Sequence, residues 1–200
     1  MANANRPWGL KPVGYRGGSP WNGKAHTYYI PSSDTNAYAV GDPVTFAGSG
    51  SAGGVADVVL ATAGTDNPVL GAIVGTRGVT YGGVLADPAS LDTTIIPATK
   101  TKGYYVLVAD DPDLEFLIQE DGVGGTIAVT GLGNNYNLVS GSNNGYVSGW
   151  MLDSSSVATT ATLQLQLLRL WQAPDNELGS YAKWVVRINR HAWSAGIAGV

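Results

Sequence analysis

The chain has 200 residues, 44% of them hydrophobic and only 13% charged, with 28 glycines and no cysteine. That suits one globular unit with a real core. It excludes a charge-rich disordered chain, a coiled coil and, because the glycines keep no three-residue period, a collagen-like chain. The absence of cysteine excludes disulfides and thiolate chemistry, and two histidines, His26 and His191, are too few for a multi-histidine metal site.

The net charge of −4 is unevenly spread: residues 1–33 carry +4, residues 178–200 carry +3, and the stretch between carries −11. Residues 1–25 hold Trp8, Trp21 and Tyr15 among three prolines and five glycines. Those prolines and glycines argue against regular structure and for an extended arm. An ordered aromatic arm needs something to lie against. The body, 26–200, then reads as short strands at 43–46, 58–60, 69–74, 93–96, 104–108, 114–118, 127–129 and 136–139. Between them lie Gly, Ser, Asn and Asp turns. The Gly/Ser/Ala stretch 47–55 reads as a flexible loop.

Residues 160–171 are ambiguous. Leu and Gln favour a helix, yet Leu163, Leu165 and Leu167 alternate with Gln164 and Gln166, and the phase shifts at Leu168. A one-residue phase shift is what a β-bulge produces, so a long strand bulged near Leu167 is the preferred reading. A last strand follows at 183–190, with Trp184, Val186 and Ile188 on one face. About ten short strands and no firm helix predict an all-β fold, a sandwich or barrel, with an extended N-terminal arm. No apolar run approaches the roughly 18 residues of a membrane helix. The first residues lack the apolar stretch of a secretion signal, which predicts synthesis in a cytosol.

Candidate chemistry is sparse. Asp110, Asp111, Asp113, Glu115, Glu120 and Asp121 read as a solvated acidic edge. Their spacing begins like a calcium loop, but Phe116 stands where that loop needs glycine. Nothing sets two carboxylates across a cleft, and no Gly-x-Ser-x-Gly elbow or phosphate-binding loop occurs. Gly122-Val123-Gly124-Gly125-Thr126-Ile127 fails the dinucleotide fingerprint at Ile127. Seven bases at two ends of an acidic body make a weak nucleic-acid footprint. No catalytic residue, metal ligand or cofactor is therefore assigned. Trp, Tyr and Arg dominate protein interfaces. The candidate partner-binding residues are Arg6, Trp8, Leu10, Lys11, Arg16 and Trp21 at one end and Arg190 and Trp193 at the other.

In order along the chain stand Arg6-Pro7-Trp8-Gly9-Leu10-Lys11-Pro12-Val13, Tyr28-Tyr29-Ile30-Pro31, Gly41-Asp42-Pro43-Val44 and Leu70-Gly71-Ala72-Ile73-Val74-Gly75. They are followed by Asp110-Asp111-Pro112-Asp113, Ile118-Gln119-Glu120-Asp121, Met151-Leu152-Asp153-Ser154, Pro174-Asp175-Asn176-Glu177 and Trp184-Val185-Val186-Arg187-Ile188-Asn189-Arg190-His191. In this order the sequence resembles the head cement, or decoration, proteins of tailed bacteriophages. The resemblance implies a jelly-roll or related β-fold and a non-enzymatic homo-oligomer, a dimer or trimer. Such a protein binds the major capsid protein on the outer surface of the assembled head and needs no membrane or nucleic acid. The competing expectation is another virion β-protein, such as a tail, spike or carbohydrate-binding module.

Overall fold

A computed structural model describes residues 3–77, 95–194, 196 and 198–199. Among them the fold is all-β, as expected. The strands are β1 (Lys11–Tyr15), β2 (His26–Ile30), β3 (Tyr38–Ala39), β4 (Pro43–Gly50), β5 (Ala56–Leu60), β6 (Gly71–Arg77) and β7 (Ile95–Ile96). They continue as β8 (Tyr104–Ala109), β9 (Leu114–Gln119), β10 (Asn135–Tyr136), β11 (Leu138–Val139), β12 (Met151–Leu152), β13 (Leu165–Leu170) and β14 (Lys183–Ile188).

Five strands close a small barrel in the order β2-β5-β4-β6-β8. Its neighbours are antiparallel except β2 and β5, which run parallel where Tyr29 meets Asp57. Closure removes the sheet edges that would otherwise pair with other chains. β-branched residues fill the interior, as the pleated, half-buried surface of a strand favours: Ile30, Val44, Val58, Ile73, Val106 and Val108 are fully buried in one cluster.

An antiparallel sheet in the order β1-β9-β14-β13-β10 packs on the outside of that barrel. Alternation on β6 and β8 makes this possible. Ile73 and Val108 point into the barrel, whereas Ala72 and Ala109 turn outward into the second core. There they meet Phe116, Ile118, Leu165, Leu167, Trp184 and Val186 of the sheet. Alanine on the barrel side leaves room for the larger side chains opposite. Trp184, Val186 and Ile188 share the core face as their spacing predicts. The register of β13 on β14 shifts between Leu167 and Arg169, the bulge read from the leucine pattern.

Several expectations need correction. Residues 1–25 are not irregular throughout: Lys11–Tyr15 pairs with β9, and the register shifts between Pro12 and Gly14. An edge strand tolerates proline, and a bulge suits glycine. Residues 15–19 then turn back, and Trp21 N donates to Val13 O at 3.3 Å, covering the free edge of β1. The expected flexible loop 47–55 is half strand: Ala47 to Gly50 belong to β4, and only the turn from Ser51 to Val55 lies outside it. Residues 127–129 form no strand; Ile127 is a buried loop residue and Val129–Gly131 a 3₁₀ turn. Residues 136–139 split between two sheets at Asn137. Of the strand expected at 93–96, Ile95–Ile96 is β7, while 93 and 94 lie outside the described residues.

The acidic run is a solvated edge only in part: Asp113 is exposed and Asp111 half-buried. β9 lies between β1 and β14, and Asp110, Glu115, Glu120 and Asp121 are all buried. Each has donors or a cation in place of water. Asp110 accepts from the Tyr28 hydroxyl, Glu115 faces Arg169, and Glu120 accepts from the Trp184 indole. Asp121 accepts from Ser154 N–H and Oγ.

Candidate functional site: a tryptophan-lined groove

The first residues lie as a strap along the body. Asn3 Nδ2 donates to the carbonyls of Glu177 and Ser180 at 2.8 and 3.1 Å. Buried Gln119 takes the Arg6 N–H at 2.9 Å and donates to Ala4 O at 2.7 Å and Tyr181 O at 2.9 Å. One glutamine therefore ties the strap both to its own strand and to the turn before β14.

The strap next crosses the barrel. Leu10 N donates to Gly41 O at 2.9 Å, and the two backbones touch. Gly9 and Gly41 both hold positive φ, +71° and +94°. A Cβ on Gly9 would stand 2.1 Å from Gly41 O, and one on Gly41 would stand 2.0 Å from Trp8 O. Only glycine fits this crossing, and it fixes Trp8 relative to the barrel.

Trp8, Leu10, Lys11 and Trp21 come together on the wall of a groove of about 510 Å³, with Val74 and Leu117 in its lining. Trp171 and Lys183 complete it from the turn between β13 and β14. Asn176 holds that turn: its amide nitrogen donates to Trp171 O at 2.7 Å and Lys183 O at 2.9 Å, and its oxygen takes Lys183 N–H at 2.8 Å. The Lys183 ammonium sits 5.9 Å from the centre of the Trp8 ring and pairs with Asp175. The Trp21 indole donates to Lys24 O at 3.2 Å. The Trp8 indole N–H is buried beside the groove with no acceptor among the described residues. A buried donor left unpaired is costly; what the groove itself offers is its apolar rings.

Of the groove's own residues, Leu10 is 1% exposed and acts as wall rather than contact surface. The other candidates fall elsewhere. Arg6 is exposed at the strap. Arg16 lies by a second depression with Glu115 and Arg169; burial, and then the charge of Arg16, lowers the Arg187 pKa there. Arg190 lies 3.9 Å from Asp66. Trp193, 52% exposed, packs on Phe46 and His191. Neither Arg190 nor Trp193 lines the groove. Sequence reasoning missed Trp171, Leu117 and Lys183. Trp171 follows the ambiguous Leu/Gln stretch, and nothing local relates it to Trp8.

Among the described residues no three His, Asp or Glu side chains are placed to share a metal ion, and no helix is long and apolar enough to cross a membrane. No protein-family model, no curated protein and no solved structure matches the chain.

Proposed function

We propose that the chain is a non-enzymatic capsid decoration protein. It binds the major capsid protein on the outer surface of an assembled phage head and reinforces the seams between subunits, acting as a dimer or trimer. The observation that carries this reading is the groove walled by Trp8, Trp21 and Trp171. Lys11 of its lining is exposed, as are Arg6 on the strap and Lys24 after Trp21, and none of the three has an acidic partner among the described residues. The complementary surface is an extended apolar segment of the coat protein that carries a carboxylate toward Lys11. The resemblance of the ordered sequence blocks to head cement proteins points to the same reading.

A buried tryptophan anchor is worth about 2 kcal/mol or more at a protein interface. Many copies, each contacting several subunits of a rigid lattice, then hold more firmly than one contact suggests. The test is occupancy on purified heads stripped of this chain. Trp8→Ala and Trp21→Ala should each weaken binding at least about thirtyfold while the variants stay folded. Undiminished occupancy of both variants refutes the reading. Deleting the strap is a poorer test, because β1 belongs to the sheet.

A further inference from the structure

At one end of the barrel the apolar interior runs out to the surface through aromatic rings. Tyr28, in the barrel core, meets Phe46 edge-on at 6.0 Å; Phe46 meets Trp193 at 6.1 Å; Trp193 meets His191 at 5.9 Å. Phe46 is 36% exposed and Trp193 52%. Their positions are set from beneath. His191 is buried, and its Nδ1 accepts the Trp193 N–H at 3.1 Å. Ala192 N donates to Val69 O at 3.0 Å, which fastens this segment to the body.

A polar group stands at the same end. Buried Asp110 accepts the Tyr28 hydroxyl at 2.5 Å and lies 2.8 Å from His26 Nδ1. In the neutral ring that contact favours the proton on Nδ1 and leaves Nε2 as an acceptor. The His26 side chain is 56% exposed, so that acceptor faces outward. Both Asp110 oxygens are engaged by these two side chains.

We propose that this barrel mouth is a binding site for a neutral sugar ring, separate from the tryptophan groove. A pyranose has an apolar C–H face and a rim of hydroxyls. The face fits the Phe46–Trp193 surface, and a hydroxyl donates to His26 Nε2. Mouths of β-barrels are favoured ligand sites, and rings preset by buried neighbours bind without ordering cost. Size favours a sugar over a protein. The exposed parts of the two rings amount to roughly 200 Å², far below the ~800 Å² per partner of a stable protein interface.

The probes are the methyl glycosides of glucose, galactose, mannose, N-acetylglucosamine and rhamnose, followed by saturation-transfer NMR on the intact chain. At least one should bind with a dissociation constant of about 10 mM or tighter, with transfer strongest to its C–H face. Trp193→Ala should weaken that binding about tenfold or more and His26→Ala about fivefold. Trp193→Phe should restore most of it, and Tyr146→Ala, an exposed aromatic elsewhere, should leave it unchanged. Melting curves confirm that each variant is folded. Absence of transfer from all five glycosides overturns the proposal, as does equal binding by folded Trp193→Ala. Self-association lost in Trp193→Ala, with no sugar transfer, assigns the surface to a protein partner and overturns it too.

Discussion

Two buried carboxylates, one on each side of the molecule, meet opposite fates. On the barrel side, Asp34 follows β2 and faces Lys100, whose side chain is fully buried. The ammonium also donates to Asp34 O and Asn36 O at 2.7 and 2.6 Å and lies 5.3 Å from the centre of the Tyr38 ring. Burial alone would raise the Asp34 pKa, but the Asn36 N–H and the Lys100 cation outweigh it and hold the group below its ordinary value. On the sheet side, Glu120 is fully buried with only neutral donors, the Trp184 indole at 2.9 Å and Ile127 N–H at 3.2 Å. Its second oxygen has no partner among the described residues. Burial prevails there and pushes its pKa up to about 6. The lesson is that hydrogen-bond donors and a cation must together outweigh burial before a buried carboxylate prefers its charged form; Asp34 has both, and the two neutral donors of Glu120 are not enough.

The comparison breaks most severely at Trp184. Trp184→Ala opens a cavity under the sheet and strips Glu120 of its best donor, so the cost is about 5 kcal/mol. Ile73→Ala in the barrel opens a cavity but leaves no polar group stranded, and costs about 3 kcal/mol. Equal losses in denaturant melts of the two variants would show that Glu120 does not depend on the indole.

Next comes Lys100→Met. Removing the cation leaves Asp34 buried and unpaired, at a cost of about 3 kcal/mol near neutral pH. In the parent protein the lowered Asp34 pKa contributes stability that is full above its unfolded value of 3.8 and is lost as pH falls through the folded one. The variant should lose that acid-side decline, so its deficit shrinks as pH falls below about 4. A deficit that stays constant with pH would place the cost in lost packing rather than in the ion pair.

Glu120→Gln tests the other side of the comparison. The folded pKa is raised from 4.5 to about 6, so the stabilising effect of the neutral acid is full below 4.5 and disappears as pH rises through 6. The parent protein should therefore lose roughly 1–2 kcal/mol between about pH 4 and 7 through this group. Asp42, whose pKa burial also raises, adds to the same slope. Glu120→Gln should flatten the profile to the part Asp42 supplies, read as melting temperature against pH. An unchanged slope would mean that this carboxyl titrates alike in the folded and unfolded states.

These contrasts mark how far the sequence could be read. A β-branched and aromatic run exposed β8, period-two alternation exposed β9, β13 and β14, and the phase change at Leu168 exposed the bulge, because those signals are local. β1 was hidden because Pro12 and Gly14 look like breakers, yet they sit at an edge and a register shift. Burial of four of the six acids in the 110–121 run was hidden for a different reason. A sequence shows charges, whereas the donors that make burial tolerable come from far along the chain: Trp184 is 64 residues from Glu120, and Tyr28 is 82 from Asp110. The groove was half visible. Trp8 and Trp21 stand out as aromatics in a glycine- and proline-rich segment, but Trp171 reaches them only through the fold.

The smallest effect sharpens the comparison by supplying a cation that is not buried. Glu115 is 8% exposed and its partner Arg169 lies at 2.5 Å, but the Arg169 side chain is 53% exposed. Water screens this pair from one side, and exposed ion pairs contribute little. Arg169→Gln should cost less than about 1 kcal/mol, a fraction of the Lys100→Met loss, although both pairs join a base to a carboxylate on the same chain. The measurement is a denaturant melt at two salt concentrations. Salt should narrow the Arg169 difference and leave the Lys100 difference in place, since a buried pair is poorly screened. A loss at Arg169 as large as that at Lys100 would mean that Glu115 relies on its arginine as fully as Asp34 relies on its lysine, and that exposure of the cation does not separate the two.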